Sequence, residues 1–235
     1  MSKRFIFFLF ITFNCSNVFS QISTDRPGQT ESAVVLSKGQ IQIESGILFE
    51  ESQSNINTLF RFGLAEGVEI RLNSNYLLND QISFMKKSSF NDFEVGAKFK
   101  ILNKSSNKTK LALLTNVSIP TARESFSNNA YGILTRFNIS HDLKDKSQIG
   151  YNIGYNKFED AKGKFVYTIN YIRNLNSFEV FFEVFGDNFK NDSNLNFDSG
   201  ITYLLNRSQQ LDLSIGKGLN NNIFFVSFGY SINFN

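Results

Sequence analysis

The chain has 235 residues and a formal net charge of +3, with one cysteine, one histidine and no tryptophan. So small a charge, without any run of Lys or Arg that forms a basic stripe, argues against nucleic-acid binding. No segment after residue 20 has 18 consecutive apolar residues, so the sequence excludes a bundle of membrane-spanning helices.

The first twenty residues have the organisation of a secretory signal. Two basic residues precede the apolar stretch 5–13, and Val18-Phe19-Ser20 forms a small-residue cleavage site before Gln21. The apolar stretch is too short to span a bilayer as a helix. We therefore expect residues 1–20 to be a signal peptide that exports the chain.

The lone cysteine, Cys15, belongs to this predicted signal. Phe13 and Asn14 precede it instead of small residues, which argues against a lipoprotein. The mature chain then has no cysteine, although it enters a compartment that permits disulfides. Its fold must be stable without cross-links, and a closed barrel meets that requirement.

From Gly39 onward the sequence alternates apolar and polar residues. In the last segment Phe224, Val226 and Phe228 share one face, while Ser227 and Gly229 share the other. Segments of about 9 to 13 residues with this period are typical of transmembrane strands. We predict an all-β fold, an antiparallel transmembrane β-barrel of about 12 strands over residues 39–235. The predicted strands are 40–50, 55–63, 68–77, 91–102, 110–119, 130–141, 147–156, 164–173, 177–185, 195–205, 209–217 and 222–234.

The connections between these strands alternate in length. Short ones at 64–67, 174–176 and 206–208 contrast with longer ones at 78–90, 120–129 and 186–194, while the short first connection near Ser52 departs from the trend. Bacterial barrels have short periplasmic turns and longer extracellular loops, so we expect both termini in the periplasm.

Alternation alone also fits a soluble sandwich or a lipocalin-like barrel, whose apolar face points inward. Against this, Tyr and Phe cluster near strand ends on the apolar face, as in an aromatic girdle. The terminal strand, with Phe234 next to last, resembles those by which the barrel-assembly machinery recognises such proteins. We therefore predict an outer-membrane location with the apolar face toward lipid. The polar face then lines the lumen, and its ionisable candidates for selectivity are Glu44, Arg61, Glu69, Arg71, Glu94, Lys98, Arg136, Glu179, Glu183, Asp198 and Asp212.

Residues 21–38 form a polar segment before the first strand. Asp25 and Arg26 are its paired charges, and Pro27 interrupts any ladder or helix there. One interpretation is a periplasmic tail. The other is a plug that enters the barrel mouth and pairs with lumen charges, with Asp25, Arg26 and Pro27 as its candidate residues.

A lumen of about twelve strands lies between filled eight-stranded barrels and wide porins, and would pass small solutes with restriction. Its opposing charges fit either a selectivity lining or mutually satisfied pairs. The rival function is a structural or adhesive barrel that binds through its extracellular loops. Catalysis has little support, because His141 is the lone histidine and the adjacent Ser140 would point to the opposite face. The sequence predicts no metal or other cofactor.

The mature N-terminus carries a family resemblance. Ser23-Thr24-Asp25-Arg26-Pro27, followed by Gln29-Thr30-Glu31-Ser32, resembles the opening of a family of outer-membrane transporters named for the meta-pathway of phenol degradation. The likeness continues through 42–46, 61–72 and 198–216, while Ala33 departs from an expected proline. The resemblance implies an outer-membrane channel for small solutes, hydrophobic or aromatic ones included.

Overall fold

The computed structural model describes residues 22–51, 53–79, 87–102, 108–159, 161–189 and 192–234. The predicted signal peptide over 1–20 and Asn235 lie outside these residues, as does most of the connection predicted at 78–90. In the described ranges no helix is long and apolar enough to cross a membrane.

The predicted alternation produces β-strands along the described chain. A short 3₁₀ helix, Glu124–Phe126, lies in the connection between β6 and β7. The strands are β1 (Ile41–Glu50), β2 (Gln53–Ala65), β3 (Val68–Asn79), β4 (Lys87–Phe90), β5 (Phe93–Leu102), β6 (Thr109–Ile119), β7 (Gly132–Asp142), β8 (Ser147–Phe158), β9 (Lys164–Leu175), β10 (Phe178–Phe189), β11 (Asp192–Asn206), β12 (Gln209–Gly218) and β13 (Phe224–Phe234).

The sheet closes on itself. Strand β1 pairs with β2 on one side and with β13 on the other, where Ile41 faces Phe234 and Glu50 faces Phe225. All pairs are antiparallel, and β4 and β5 share one place because β3 pairs with both. The wall thus has twelve strand positions, which confirms the predicted barrel and its strand number.

The strand predicted at 91–102 begins at Phe93 instead. Asn91 and Asp92 interrupt the chain between it and the short strand β4. The Asp92 carboxylate accepts hydrogen bonds from the backbone N–H groups of Ala122 (3.1 Å) and Asn128 (2.8 Å). Burial raises the pKa of Asp92, but these hydrogen bonds outweigh burial and hold it below its usual value. The interruption thus anchors the β6–β7 loop, a long-range contact that strand periodicity does not report.

Polar side chains face the interior and apolar side chains face outward. On β12, Asp212 and Ser214 are each 2 % exposed, whereas Leu213 and Ile215 are 48 % and 50 % exposed. Apolar surface left in water costs about 25 cal/mol per Å², so this arrangement requires an apolar solvent around the wall. The soluble sandwich and lipocalin-like alternatives are therefore wrong.

The two ends of the barrel differ. We call the end that holds the start of β1, the end of β13 and the tight turn at Gly67 the terminal rim, and the opposite end the loop rim. Gly67 adopts a φ of +79°, which favours glycine. Phe99 and Tyr171 lie outward near the terminal rim, and Tyr131 and Tyr155 near the loop rim, all at least 39 % exposed. Aromatic side chains therefore flank the apolar band at both ends, as in a girdle.

Candidate functional site in the barrel interior

Residues 22–38, which we call the inner segment, cross the interior of the barrel. The backbone N–H of Leu36 donates to Glu69 on β3 (3.0 Å), that of Glu31 to Asn152 on β8 (2.7 Å), and that of Thr30 to Glu183 on β10 (2.6 Å). A Cβ on Gly63 would lie 1.9 Å from the Ser37 carbonyl oxygen, so this glycine allows the close approach where the segment enters.

The inner segment folds back on itself. The backbone N–H of Ser32 donates to the Asp25 carboxylate (2.6 Å), and the hydroxyls of Ser23 and Ser32 are 2.7 Å apart. Between these contacts, Gly28–Thr30 form a tip that reaches the wall at β10. The segment therefore touches opposite sides of the lumen.

Asp25 lies among three wall cations. Its carboxylate is 2.6 Å from Arg71, 3.0 Å from Lys98 and 3.7 Å from Arg61. Burial alone would raise the pKa of Asp25, but the three cations hold it well below its usual range. Asp25 therefore stays ionised and binds the segment to β2, β3 and β5.

Two wall carboxylates complete this cluster. Glu44 and Glu69 lie 2.9 Å and 2.8 Å from Arg61. They also accept backbone N–H groups of the segment, from Asp25 (2.8 Å) and Leu36 (3.0 Å). Arg61 donates further to the carbonyl oxygens of the segment at Ser23 and Val34. Wall and segment thus supply hydrogen-bond partners for these buried polar groups.

Glu31 is the second acidic group of the segment in this region. It is 2.9 Å from Arg71 and 3.8 Å from Lys98. Burial raises the pKa of Glu31, Arg71 lowers it, the neighbouring Asp25 raises it, and the net shift is upward. Without the segment, the cations of Arg61, Arg71 and Lys98 would pair with two carboxylates, Glu44 and Glu69, in the described part of the wall.

On the opposite wall, Glu183 accepts the N–H groups of Gln29 (2.5 Å) and Thr30 (2.6 Å), and the Thr30 hydroxyl. Asp198 is its direct partner in the β10–β11 register and is fully buried. Asp212 lies 3.0 Å from Arg26.

Wall glycines make room for Arg26. A Cβ on Gly46 or on Gly229 would lie 2.3 Å or 2.5 Å from its guanidinium. Arg26 also donates to Ser227 on β13 (2.7 Å). Pro27 follows Arg26 through a cis peptide bond and lines the space on both sides of the segment.

Three predicted candidates lie apart from these contacts. Glu94 accepts from Asn116 (3.2 Å) and Arg136 donates to Asn156 (2.9 Å). Glu179 lines a cavity at the terminal rim. The structure therefore brings seven of the eleven wall candidates into contact with the inner segment, places Asp198 beside one of them, Glu183, and leaves these three elsewhere on the wall.

The structure adds uncharged polar residues that the sequence prediction did not include in the site. Asn152 and Asn138, which are 1 % and 0 % exposed, bond to the segment at Glu31 and Ser32. Gln42 is fully buried and donates to the Ser23 carbonyl oxygen. Their positions on the inward face of the alternating strands could have indicated this role. The prediction named ionisable residues alone and therefore did not include them.

Cavities lie on both sides of the segment. One of about 660 Å³ opens toward the terminal rim and is lined by Lys110, Asp142 and Phe181. Another of about 290 Å³ lies toward the loop rim and is lined by Leu48 and Asn57. Both also contact the inner segment, which stands between them.

His141 lies on the outer face. Its Nδ1 is 2.9 Å from the Thr109 hydroxyl and its Nε2 is 3.0 Å from the Tyr151 hydroxyl. Ser140 is buried on the opposite face. Among the described residues no group of three or more His, Cys, Asp or Glu is placed to hold a metal ion.

The closed wall, the exposed apolar face and the charged interior define an outer-membrane β-barrel with a porin-like channel fold. Within this class the chain belongs to the family described as "Putative MetA-pathway of phenol degradation", whose sequence profile matches residues 24–234. This confirms the family resemblance noted in the sequence.

Solved outer-membrane channels share the fold. The KdgM porin is 10 % identical, with a TM-score of 0.65 over 83 % of this chain and 99 % of its own. The COG4313 outer membrane channel from Pseudomonas putida F1 is 12 % identical, with a TM-score of 0.65 over 88 % and 99 %. The CymD monoaromatic hydrocarbon channel is 9 % identical, with a TM-score of 0.50 over 85 % and 90 %. No curated protein sequence matches the chain significantly.

Proposed function

We propose that the protein is a passive outer-membrane channel for small solutes, hydrophobic or aromatic ones included, and that the inner segment is a plug that limits passage. The observation that carries this proposal is the position of the segment, which separates a cavity at the terminal rim from one toward the loop rim. A barrel that served only as a scaffold would need no separate segment bonded to both sides of its lumen.

The nature of the contacts supports a plug that can be displaced. Within the described residues the segment pairs with no strand, and hydrogen bonds and ion pairs to inward side chains hold it in place. Such contacts can exchange for water one by one when the segment leaves, whereas a strand of the wall could not leave without opening the barrel. The charged wall side chains would then line the path of the solute.

The family and the fold support the choice of solute. The family is named for phenol degradation, and one structural neighbour is a monoaromatic hydrocarbon channel. Inward apolar side chains such as Leu59, Leu114 and Phe181 offer contact to an apolar solute. We further propose that residues 1–20 are a removed signal peptide, that the terminal rim faces the periplasm, that the barrel-assembly machinery binds the terminal strand, and that the barrel is not an enzyme.

Uptake into liposomes tests this function. Vesicles with the refolded mature chain should take up small aromatic solutes faster than protein-free vesicles, and faster than they take up polar solutes of equal size. An adhesive or structural barrel would leave uptake of both solute classes at the protein-free rate, and that result would reject the channel.

A further inference from the structure

A polar cluster lies on the lipid-facing side of the wall at the terminal rim. Arg173 on β9 is the register partner of Ser147 on β8 and of Val180 on β10, and it shares its face with Ile169, which is 53 % exposed. One guanidinium nitrogen of Arg173 donates to the Ser147 hydroxyl (3.0 Å). The Tyr171 hydroxyl lies 2.9 Å from the same Ser147 oxygen. Arg173 and Tyr171 thus converge on Ser147, which is 7 % exposed and also lines the cavity at the terminal rim.

The Arg173 guanidinium has more hydrogen-bond donors than its contacts among the described residues use. A guanidinium carries five N–H groups, and the structure accounts for one bond from Arg173, to Ser147. Among the described residues Arg173 forms no ion pair. A cation on the lipid face is costly unless it reaches the headgroup layer and finds an anion there. Its place at the end of β9 lets it reach that layer.

The neighbouring turn adds positive charge. Lys144 and Lys146 are exposed between β7 and β8, with Asp145 as the acid of that turn. The backbone N–H of Asn174 donates to the Lys146 carbonyl oxygen (2.9 Å), which fixes the turn beside Arg173. Asp142, at the end of β7, is already paired with Lys110 (2.9 Å). Among the described residues at this edge, three cations therefore lie near one carboxylate, Asp145, that forms no ion pair.

We infer that this cluster is a binding site for the phosphate of an anionic phospholipid headgroup in the leaflet at the terminal rim. The planar guanidinium of Arg173 matches two phosphate oxygens, and the Tyr171 hydroxyl supplies a further bond, while the buried Ser147 hydroxyl orients both side chains. Lys144 and Lys146 add the attraction that favours an anionic over a zwitterionic headgroup. Lys217 shows the contrast: it is an outward cation toward the loop rim, but Phe197 and Phe224 flank it in the register and offer no donors.

Native mass spectrometry of the refolded, delipidated barrel tests the site, with phosphatidylglycerol and phosphatidylcholine of the same acyl chains as probes. We expect tighter binding of phosphatidylglycerol. Arg173→Gln should weaken it about fivefold, since a basic residue near the surface contributes about 1 kcal/mol. Lys217→Gln is the matched control and should leave it unchanged. If Arg173→Gln does not fold, Arg173→Lys and Tyr171→Phe retain the barrel and should each weaken binding.

Several results would overturn the site. These are equal binding of the two lipids, binding unaffected by the cluster variants, an equal loss in Lys217→Gln, and displacement of the lipid by inorganic phosphate. The cluster lies outside the lumen, so solute uptake should be unchanged in every variant. Failure of this site would therefore be distinct from failure of the channel function.

Discussion

At the scale of single residues, the alternation of faces along each strand identified which charged side chains line the lumen. It did not identify which of them contact each other. Arg61 and Glu69 were visible as alternating charges on neighbouring strands. The Asp25 contacts join residues 46 and 73 positions apart, and they depend on the register of the closed barrel and the path of the segment. Local sequence pattern carries neither of these, so the central ion cluster could not be predicted from it.

Asp25→Asn should release the inner segment. The change removes the carboxylate that meets Arg71, Lys98 and Arg61, and leaves buried cations with too little counter-charge. Loss of one partner of a buried ion pair costs about 3 kcal/mol, which is a shift in the docking equilibrium on the order of a hundredfold. Single-channel recording should show longer open times. Asp145→Asn, in an exposed turn, is the control and should behave like the parent.

Glu31 should make docking depend on pH. Its pKa is raised in the docked segment, chiefly by burial, so the docked state binds the proton more tightly than the released state. Docking therefore strengthens as pH falls through the raised pKa of Glu31 toward about 4.5, the ordinary pKa of the group. Asp25 has a lowered pKa and weakens docking only as pH falls below 3.8. In single-channel recordings, closed times should therefore lengthen as pH falls toward 4.5. Glu31→Gln should reduce this pH dependence. If closed time in that variant depends on pH as steeply as in the parent, Glu31 is not the responsible group.

At the scale of elements, period-2 alternation identified every strand position and its faces, because each face meets a different solvent. It placed the strand ends less well. Strand β10 extends to Phe189 where the prediction ends at 185, and β11 begins at Asp192 where the prediction begins at 195. The ladder between them continues past the apolar run, since backbone hydrogen bonds do not require apolar side chains.

The entry of the inner segment past β2 provides a test at this scale. Gly63→Ala would place a Cβ 1.9 Å from the Ser37 carbonyl oxygen, and a backbone atom cannot rotate away as a flexible side chain can. The segment must shift, so hydrogen exchange at the amides of residues 30–36 should accelerate. Ser214→Ala, on the inward face of β12, removes a buried hydroxyl away from this entry and should leave that exchange unchanged. Equal protection in the Gly63→Ala variant would show that the segment does not depend on this contact.

At the scale of the whole molecule, the closure of the barrel and its outward apolar face follow from the same alternation of apolar and polar residues. An alternating chain without spanning helices can bury its backbone groups in lipid only by joining its first strand to its last. The lumen of twelve strands is then wide enough for a polar segment of the same chain to cross it. The sequence left a periplasmic tail and a plug as equal interpretations, because contacts of residues 22–38 lie in strands far along the chain.

The most direct test of the channel with its plug is single-channel conductance in planar bilayers, comparing the mature chain with a variant that lacks residues 22–36. The deletion removes the contacts to Glu44, Glu69 and Glu183 while leaving the ladder between β1 and β13 in place. We expect the intact chain to show small or rare openings and the deletion variant a large, steady conductance. Equal conductance in the two proteins, or none in either, would contradict the proposed channel and its plug.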